Sequence, residues 1–177
     1  MEKPTDVIKR SNFWANLFKT PTEKEDLETV LKSMPPFKKL STKYIQLLTK
    51  IVHNRVYTAN EYIFYEGDPG VALYIVLDGE VNIFQKNDDK KINDLVTLSR
   101  GDFFGELALI DGDVRSASAI AAKDSTIAVI FKPDLDQFIE QHPKRGIKIL
   151  SGIAAIIATR LRTVNRDYMD IVNKINN

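Results

Sequence analysis

The sequence has no cysteine, which excludes disulfides and every site that depends on thiolate, including cysteine-based zinc sites. Its two histidines, His53 and His142, stand far apart, whereas a metal-dependent barrel enzyme needs several histidines within its strands. No apolar run reaches the ~18 residues of a membrane span, and the N-terminus lacks the pattern of a signal peptide. We therefore expect a cytosolic protein without a metal cofactor and without membrane contact.

The charges are nearly balanced, with 25 basic and 24 acidic residues and a formal net charge of +1. This balance gives no electrostatic reason to expect nucleic acid as the main partner. No nucleophile stands near a base in a catalytic pattern, so we do not expect an enzyme. A chain of 177 residues that is 44% hydrophobic can bury the core of one domain with appendages.

The pattern of apolar residues changes twice along the chain. Helical patterns cover residues 7–18, a segment from Pro21 to Met34, and a third segment that is capped near Ser41 and includes Val52. Short β-rich runs then alternate with glycine and aspartate turns, which predicts an antiparallel sandwich or barrel. The predicted strands are residues 56–57, 62–65, 72–77, 81–84, 95–98, 118–121 and 126–131.

Two further helices are predicted at the end of the chain, from Pro133 to His142 and from Lys144 to Ile171 or beyond. The last helix carries apolar residues at alternating steps of three and four, which is the pattern of a heptad seam. A second stripe near its start (Ile149, Ile153 and Ile156) is expected to pack on the barrel. The sequence therefore favours a homodimer through this helix, and the alternative is that the seam folds onto the N-terminal helices. The seam comprises Ile147, Leu150, Ala154, Ile157, Leu161, Val164, Tyr168, Ile171 and Ile175.

Residues 103–118 carry the most specific chemistry. Arg115 offers a planar fork of donors that can pair two phosphate oxygens. Gly105 allows a ligand to approach the backbone at the start of a short helical turn, whose first N–H groups attract an anion. Glu106 can accept hydrogen bonds from a sugar hydroxyl. Together these residues suit a ligand with a sugar hydroxyl at one end and a phosphate at the other.

This run closely resembles the phosphate-binding cassette of the cyclic nucleotide-binding domain superfamily. The family pattern is Phe-Gly-Glu-aliphatic-Ala-Leu, a variable turn, and then Arg-(Ser/Thr/Ala)-Ala-small. Residues 64–70 and 73–81 resemble the glycine turn and hairpin of the same family, and the resemblance covers about residues 36–165. It implies an α+β fold, namely an antiparallel β-barrel or jelly roll with N-terminal helices and a long C-terminal helix.

The resemblance also implies a role for individual residues. Gly105, Arg115, Ser116 and Ala117 would hold the cyclic phosphate, and Glu106 the ribose 2′-hydroxyl. Leu107 and Val71 would line the base pocket, while Thr163 and Asn165 of the last helix are weaker candidates for base contact. The basic residues Arg160, Arg162 and Arg166 are interpreted as a solvated helix face. The full predicted ligand site is Gly105, Glu106, Leu107, Ala108, Arg115, Ser116, Ala117, Val71, Thr163 and Asn165.

The predicted function is that of a regulatory sensor that binds cyclic AMP or cyclic GMP, with cyclic AMP slightly preferred. Movement of the C-terminal helices would signal to an unknown effector protein. We divide the chain into an N-terminal helical extension (1–34), a barrel (35–143) with its cassette at 103–118, and a lid and dimerisation helix (144–177). The alternative is an interaction module whose cassette is vestigial. DNA binding is not expected, because the charge is neutral and no helix-turn-helix follows before Asn177.

Overall fold

The computed structural model describes residues 21–86 and 92–175, so the helix predicted at residues 7–18 lies outside the described residues. Helices and strands follow the predicted order, with helical segments on either side of a β-rich centre. The elements are α1 (Pro21–Ser33), α2 (Thr42–Thr49), β1 (Val52–Tyr57), β2 (Tyr62–Phe64), β3 (Ala72–Asp78), β4 (Val81–Lys86), β5 (Ile92–Leu98), β6 (Phe103–Phe104), α3 (Glu106–Asp111), β7 (Ser118–Ala121), β8 (Ser125–Phe131), α4 (Lys132–Gln141) and α5 (Pro143–Ile175).

The strands form two antiparallel sheets, in the orders β1-β8-β3-β6 and β2-β7-β4-β5. The buried apolar residues form two clusters, and β3 contributes to both because successive side chains of a strand point to opposite faces of the sheet. Val76 packs in a cluster between the sheets with Val81 and Ala119. Ile75 packs on the other face, in a cluster that the helices cover. A strand buried on both faces reads as a continuous apolar run, as β3 does.

The start of α5 packs against the helix-covered face. Ile149 and Ile153 are fully buried there and Ile156 packs against the same cluster, which confirms the predicted second stripe. Gly152 lies where α5 meets the turn after α1: a Cβ at this position would be 2.5 Å from the Cα of Pro36. The absence of a side chain at Gly152 therefore sets how closely the first and last helices approach.

One local prediction is wrong, and one short strand was not predicted. The helix expected to include Val52 ends at Thr49, and Val52 begins β1 opposite Ile130. Ile51 and Val52 are both β-branched, which favours a strand over a helix. A short apolar run does not show whether it follows the period of a helix or of a strand, and here the pairing with β8 makes Val52 part of a strand. The two-residue strand Phe103–Phe104 was not predicted, because only its pairing with Tyr74 and Ile75 of β3 makes it a strand.

The second half of α5 leaves the body of the domain. Its seam residues are exposed, from 56% at Ile171 to 77% at Ile175. Among the described helices, none is long and apolar enough to cross a membrane.

Candidate functional site

The site begins where β6 gives way to α3. Gly105 joins the two elements with a φ of +78°, a conformation that favours glycine, and a Cβ there would be 2.6 Å from a terminal nitrogen of Arg115. Glu106 follows as the first residue of α3 and is only 3% exposed. A carboxylate in the first turn is favoured by the helix dipole, but one buried this deeply needs a partner.

Arg115 lies on the other side of Gly105 and is also 3% exposed. Its guanidinium donates to the carbonyl oxygens of Gly105 and Ala72, each at 2.9 Å. It stacks over the rings of Phe64 and Tyr74, with its Cζ 4.5 and 5.3 Å from the ring centroids. The Nε of Arg115 is buried without a hydrogen-bond partner, so one directed donor of a buried cation remains unpaired. An unpaired buried donor is costly and is the kind of group that an anionic ligand satisfies.

The backbone of Arg115 is fixed by the turn that the sequence places after β2. The Arg115 N–H donates to Asp68 O at 2.8 Å, and the Gly67 N–H donates to Arg115 O at 2.9 Å. The Asp68 carboxylate in turn accepts from the Tyr65 N–H at 2.8 Å. The two sequence motifs, about 50 residues apart, are therefore one structural unit.

Arg160 completes the site, and its interpretation as part of a solvated face is wrong. From α5 its guanidinium donates to the Glu106 carboxylate and, at 2.8 Å, to the Phe103 carbonyl oxygen. It also lies over the Phe103 ring at 5.2 Å. A basic helix face is the only signal that the sequence offers for this residue, and it does not separate Arg160 from Arg162.

The remaining predicted site residues differ in how exposed they are to solvent. Ala117 is 8% exposed, whereas Ser116 and Leu107 of the cassette and Val71 before β3 are exposed. The backbone of Ala108 belongs to α3; its side chain lies outside the described set.

Thr163 and Asn165 lie on the exposed part of α5, beyond Arg160. The Thr163 hydroxyl donates to Thr159 O at 3.3 Å, within the helix. Within the described ranges, no hydrogen bond joins either residue to residues 103–118. The structure thus brings Arg115 and Glu106 to the two sides of Gly105, while the proposed base contacts of Thr163 and Asn165 stay a prediction.

The assembled groups suit an anion with a neighbouring hydroxyl rather than a metal. A buried cation with an unpaired N–H and a buried carboxylate lie on either side of Gly105, whose missing side chain leaves room for the Arg115 guanidinium. No cluster of three or more metal-ligating side chains occurs among the described residues.

Residues 54–142 match the family described as the cyclic nucleotide-binding domain. The chain belongs to this family. The match begins within β1 and ends just after α4, and it contains the cassette that the residues indicated. The chain thus carries a regulatory domain of the cyclic nucleotide-binding family.

Individual relatives agree with this assignment. The cyclic AMP receptor protein of Thermus thermophilus is 34% identical over 132 residues, which cover 75% of this chain and 59% of the relative. The crystal structure of the Thermus thermophilus catabolite activator protein superposes with a TM-score of 0.70 at 32% identity, covering 78% of this chain and 63% of that one. A cyclic nucleotide-binding domain from Methylobacillus flagellatus gives a TM-score of 0.73 at 26% identity, covering 90% and 94%.

These neighbours identify the two facing sheets as the jelly roll of cyclic nucleotide-binding domains, which confirms the predicted fold class. The chain spans about three fifths of the length of the cyclic AMP receptor protein that it matches.

Proposed function

We propose that this chain is a cytosolic sensor that binds a cyclic nucleotide in the Gly105–Ala117 cassette and signals through α5. The single observation that supports this most strongly is the buried Arg115 guanidinium with its unpaired Nε beside Gly105. A cyclic phosphate supplies the missing acceptor and a charge that partners the cation. The residues present therefore fit this ligand.

The other predicted residues take roles that follow from their chemistry. The phosphate would lie close to the backbone at Gly105, which has no side chain, and at Ser116 and Ala117, whose side chains are small. Glu106 would accept a hydrogen bond from the ribose 2′-hydroxyl, through the carboxylate oxygen that is not bonded to Arg160. The exposed apolar side chains of Val71 and Leu107 would line the base pocket. Ala108 is proposed as a further residue of the ligand site. Thr163 and Asn165 would reach the base only if α5 moves.

Signalling would pass through Glu106 and Arg160. The carboxylate that would hold the ribose is the same group that holds α5. A ligand that binds Glu106 would therefore have different affinities for the protein with α5 docked and with α5 undocked. Such a difference in affinity is what allows a ligand to shift the equilibrium between two conformations. The exposed half of α5 would carry this change to an effector protein.

The seam of α5 would join two copies of the chain. Leu161, Val164, Tyr168 and Ile171 are each more than half exposed and recur at heptad spacing. In this arrangement residues 1–34 would form an extension, residues 35–143 the sensor, and residues 144–177 the lid and dimer helix.

DNA would not be a partner of this chain. Gel-shift measurements at several salt concentrations should show no binding, and DNA binding that weakens as salt is added would contradict this.

Cyclic AMP is proposed as the slightly preferred ligand. This rests on the similarity to the cyclic AMP receptor protein of Thermus thermophilus, while Ser116 is compatible with either base. The test is calorimetric titration of cyclic AMP, cyclic GMP and 5′-AMP into protein that has been unfolded and refolded to remove copurified ligand. We expect both cyclic nucleotides to bind, cyclic AMP more tightly, and 5′-AMP to bind weakly. Tighter binding of cyclic GMP would reverse the proposed preference.

The exposed seam supports a second candidate, an interaction module whose cassette is vestigial. Light scattering separates the two when it is combined with the titration. A dimer that gives no heat and no thermal shift with either cyclic nucleotide would establish the interaction module. A monomer at micromolar concentration would contradict the proposed dimer.

A further inference from the structure

Two residues of the cassette, Ser116 and Ala117, form a short span between fixed points. Before the span, the backbone of Arg115 is held on both sides by Gly67 and Asp68. After it, the Ser118 hydroxyl accepts from the Glu66 N–H at 3.0 Å, and Ser118 pairs with Phe84 as β7 begins. The span itself is a bend and belongs to neither β7 nor α3.

Gln85 of β4 reaches this span. Its side-chain Nε2 donates to the Ser116 carbonyl oxygen at 2.6 Å. Gln85 follows Phe84, which pairs with Ser118, so β4 continues alongside the cassette after the ladder to β7 has ended. The amide of Gln85 thus bonds a backbone group one residue after the arginine that would bind phosphate.

A planar trans peptide links the Ser116 carbonyl rigidly to the Ala117 N–H. The two groups of one trans peptide point in opposite directions. Because Gln85 holds the carbonyl from the β4 side, the Ala117 N–H is turned away from β4. The orientation of this peptide therefore depends on a side chain outside the cassette.

We propose that Gln85 is a positioning residue of the nucleotide site, which orients the Ser116–Ala117 peptide so that the Ala117 N–H donates to the cyclic phosphate. This rests on the proposed function, since it assumes that a cyclic phosphate binds at Arg115. Gln85 need not touch the ligand.

The test replaces Gln85→Met, which keeps the length of the side chain and removes the donor. The matched control is Asn82→Ala on the same strand, which removes a partly exposed contact with the Thr97 hydroxyl, 2.9 Å away and outside the cassette. Thermal melting checks that both variants fold. The ligands are cyclic AMP and the Sp and Rp diastereomers of its phosphorothioate, which differ only in which exocyclic phosphate oxygen is sulfur.

We expect Gln85→Met to weaken cyclic AMP binding about 2- to 10-fold, the effect of one hydrogen bond, and to bring the Sp and Rp affinities closer together. A structural role for Gln85 would lower the melting temperature without changing the preference for one diastereomer. Gln85→Met affinities and diastereomer ratio equal to those of Asn82→Ala would overturn the inference while leaving the proposed function in place. Wild-type protein that binds none of the three ligands would overturn both.

Discussion

Arg160 of the last helix donates to the carboxylate of Glu106, which lies 54 residues earlier in the cassette. The carboxylate is buried, whereas the side chain of Arg160 is 43% exposed. The helix thus contributes the partner that allows a charged group to stay buried at the start of α3. This ion pair joins α5 to the first residue of α3.

Arg160→Gln should loosen the docking of α5. The substitution leaves the buried Glu106 carboxylate without its cationic partner, and we expect a loss of about 1–3 kcal/mol in the free energy of unfolding. Hydrogen exchange should speed up in the part of α5 after Ile157. Arg162→Gln, on the same helix, is the control. Equal exchange rates in the two variants would show that the ion pair does not hold the helix.

Gly105→Ala should weaken nucleotide binding more than it weakens the fold. The added Cβ would meet a guanidinium nitrogen of Arg115 at 2.6 Å, and the positive φ is strained for alanine. The side chain of Arg115 would then have to move away from the Gly105 carbonyl. Gly112→Ala is the control, since it shares a positive φ but has open space around its Cβ. Equal losses of cyclic AMP affinity in both variants would contradict this account.

Gly152→Ala should destabilise the protein although alanine favours a helix. Helix propensity alone predicts that the free energy of unfolding rises by about 1 kcal/mol. The Cβ would lie 2.5 Å from Pro36 Cα and 3.0 Å from Pro35 O, and these backbone atoms cannot rotate away. We expect a net loss of about 1–3 kcal/mol in urea unfolding. Ser151→Ala, exposed on the same helix, should not share this loss, and a stabilised Gly152→Ala would show that the turn moves freely.

Tyr57 should make the fold sensitive to high pH. Burial, reinforced by the nearby Tyr74, raises the pKa of Tyr57 from 10.0 to about 12. The unfolded chain loses this proton near pH 10, so the contribution of Tyr57 is complete below pH 10 and is lost as the pH rises toward 12. Tyr57→Phe should flatten the fall in stability across this range, measured by urea unfolding. Tyr168→Phe, at an exposed site, should follow the wild-type curve; a Tyr57→Phe curve that also follows it would contradict the assignment.

The order of the elements could be predicted because the signals were local. α1 ends at Ser33, one residue before the Met34-Pro35 pair that predicts its end, and the period changes from helical to alternating and back along the chain. The cassette could be located for the same reason: Gly105, Glu106 and Arg115 lie within eleven residues and carry a distinctive pattern. The end of α2 could not be predicted, since Val52 becomes part of β1 only through its pairing with Ile130.

Arg160 and Gln85 could not be predicted from the sequence. Their partners lie 54 and 31 residues away, and both are polar residues in amphipathic elements where an exposed position is the ordinary expectation. Only the packing of α5 on the sheet and the course of β4 beside the cassette bring them to the site. Thr163 and Asn165, which come from the family resemblance, lie on the exposed part of α5, and their contact with a base stays a prediction.

The most direct test of the central claim is the affinity for cyclic AMP of the wild-type chain and of Arg115→Lys. Lysine keeps the charge but loses the fork and the stacking over Phe64. Arg162→Lys serves as the matched control, and melting curves establish that each variant is folded. We predict micromolar or tighter binding by the wild type and the control, and at least about tenfold weaker binding by Arg115→Lys. Equal affinities in all three proteins, or no binding by the wild type, would contradict the account.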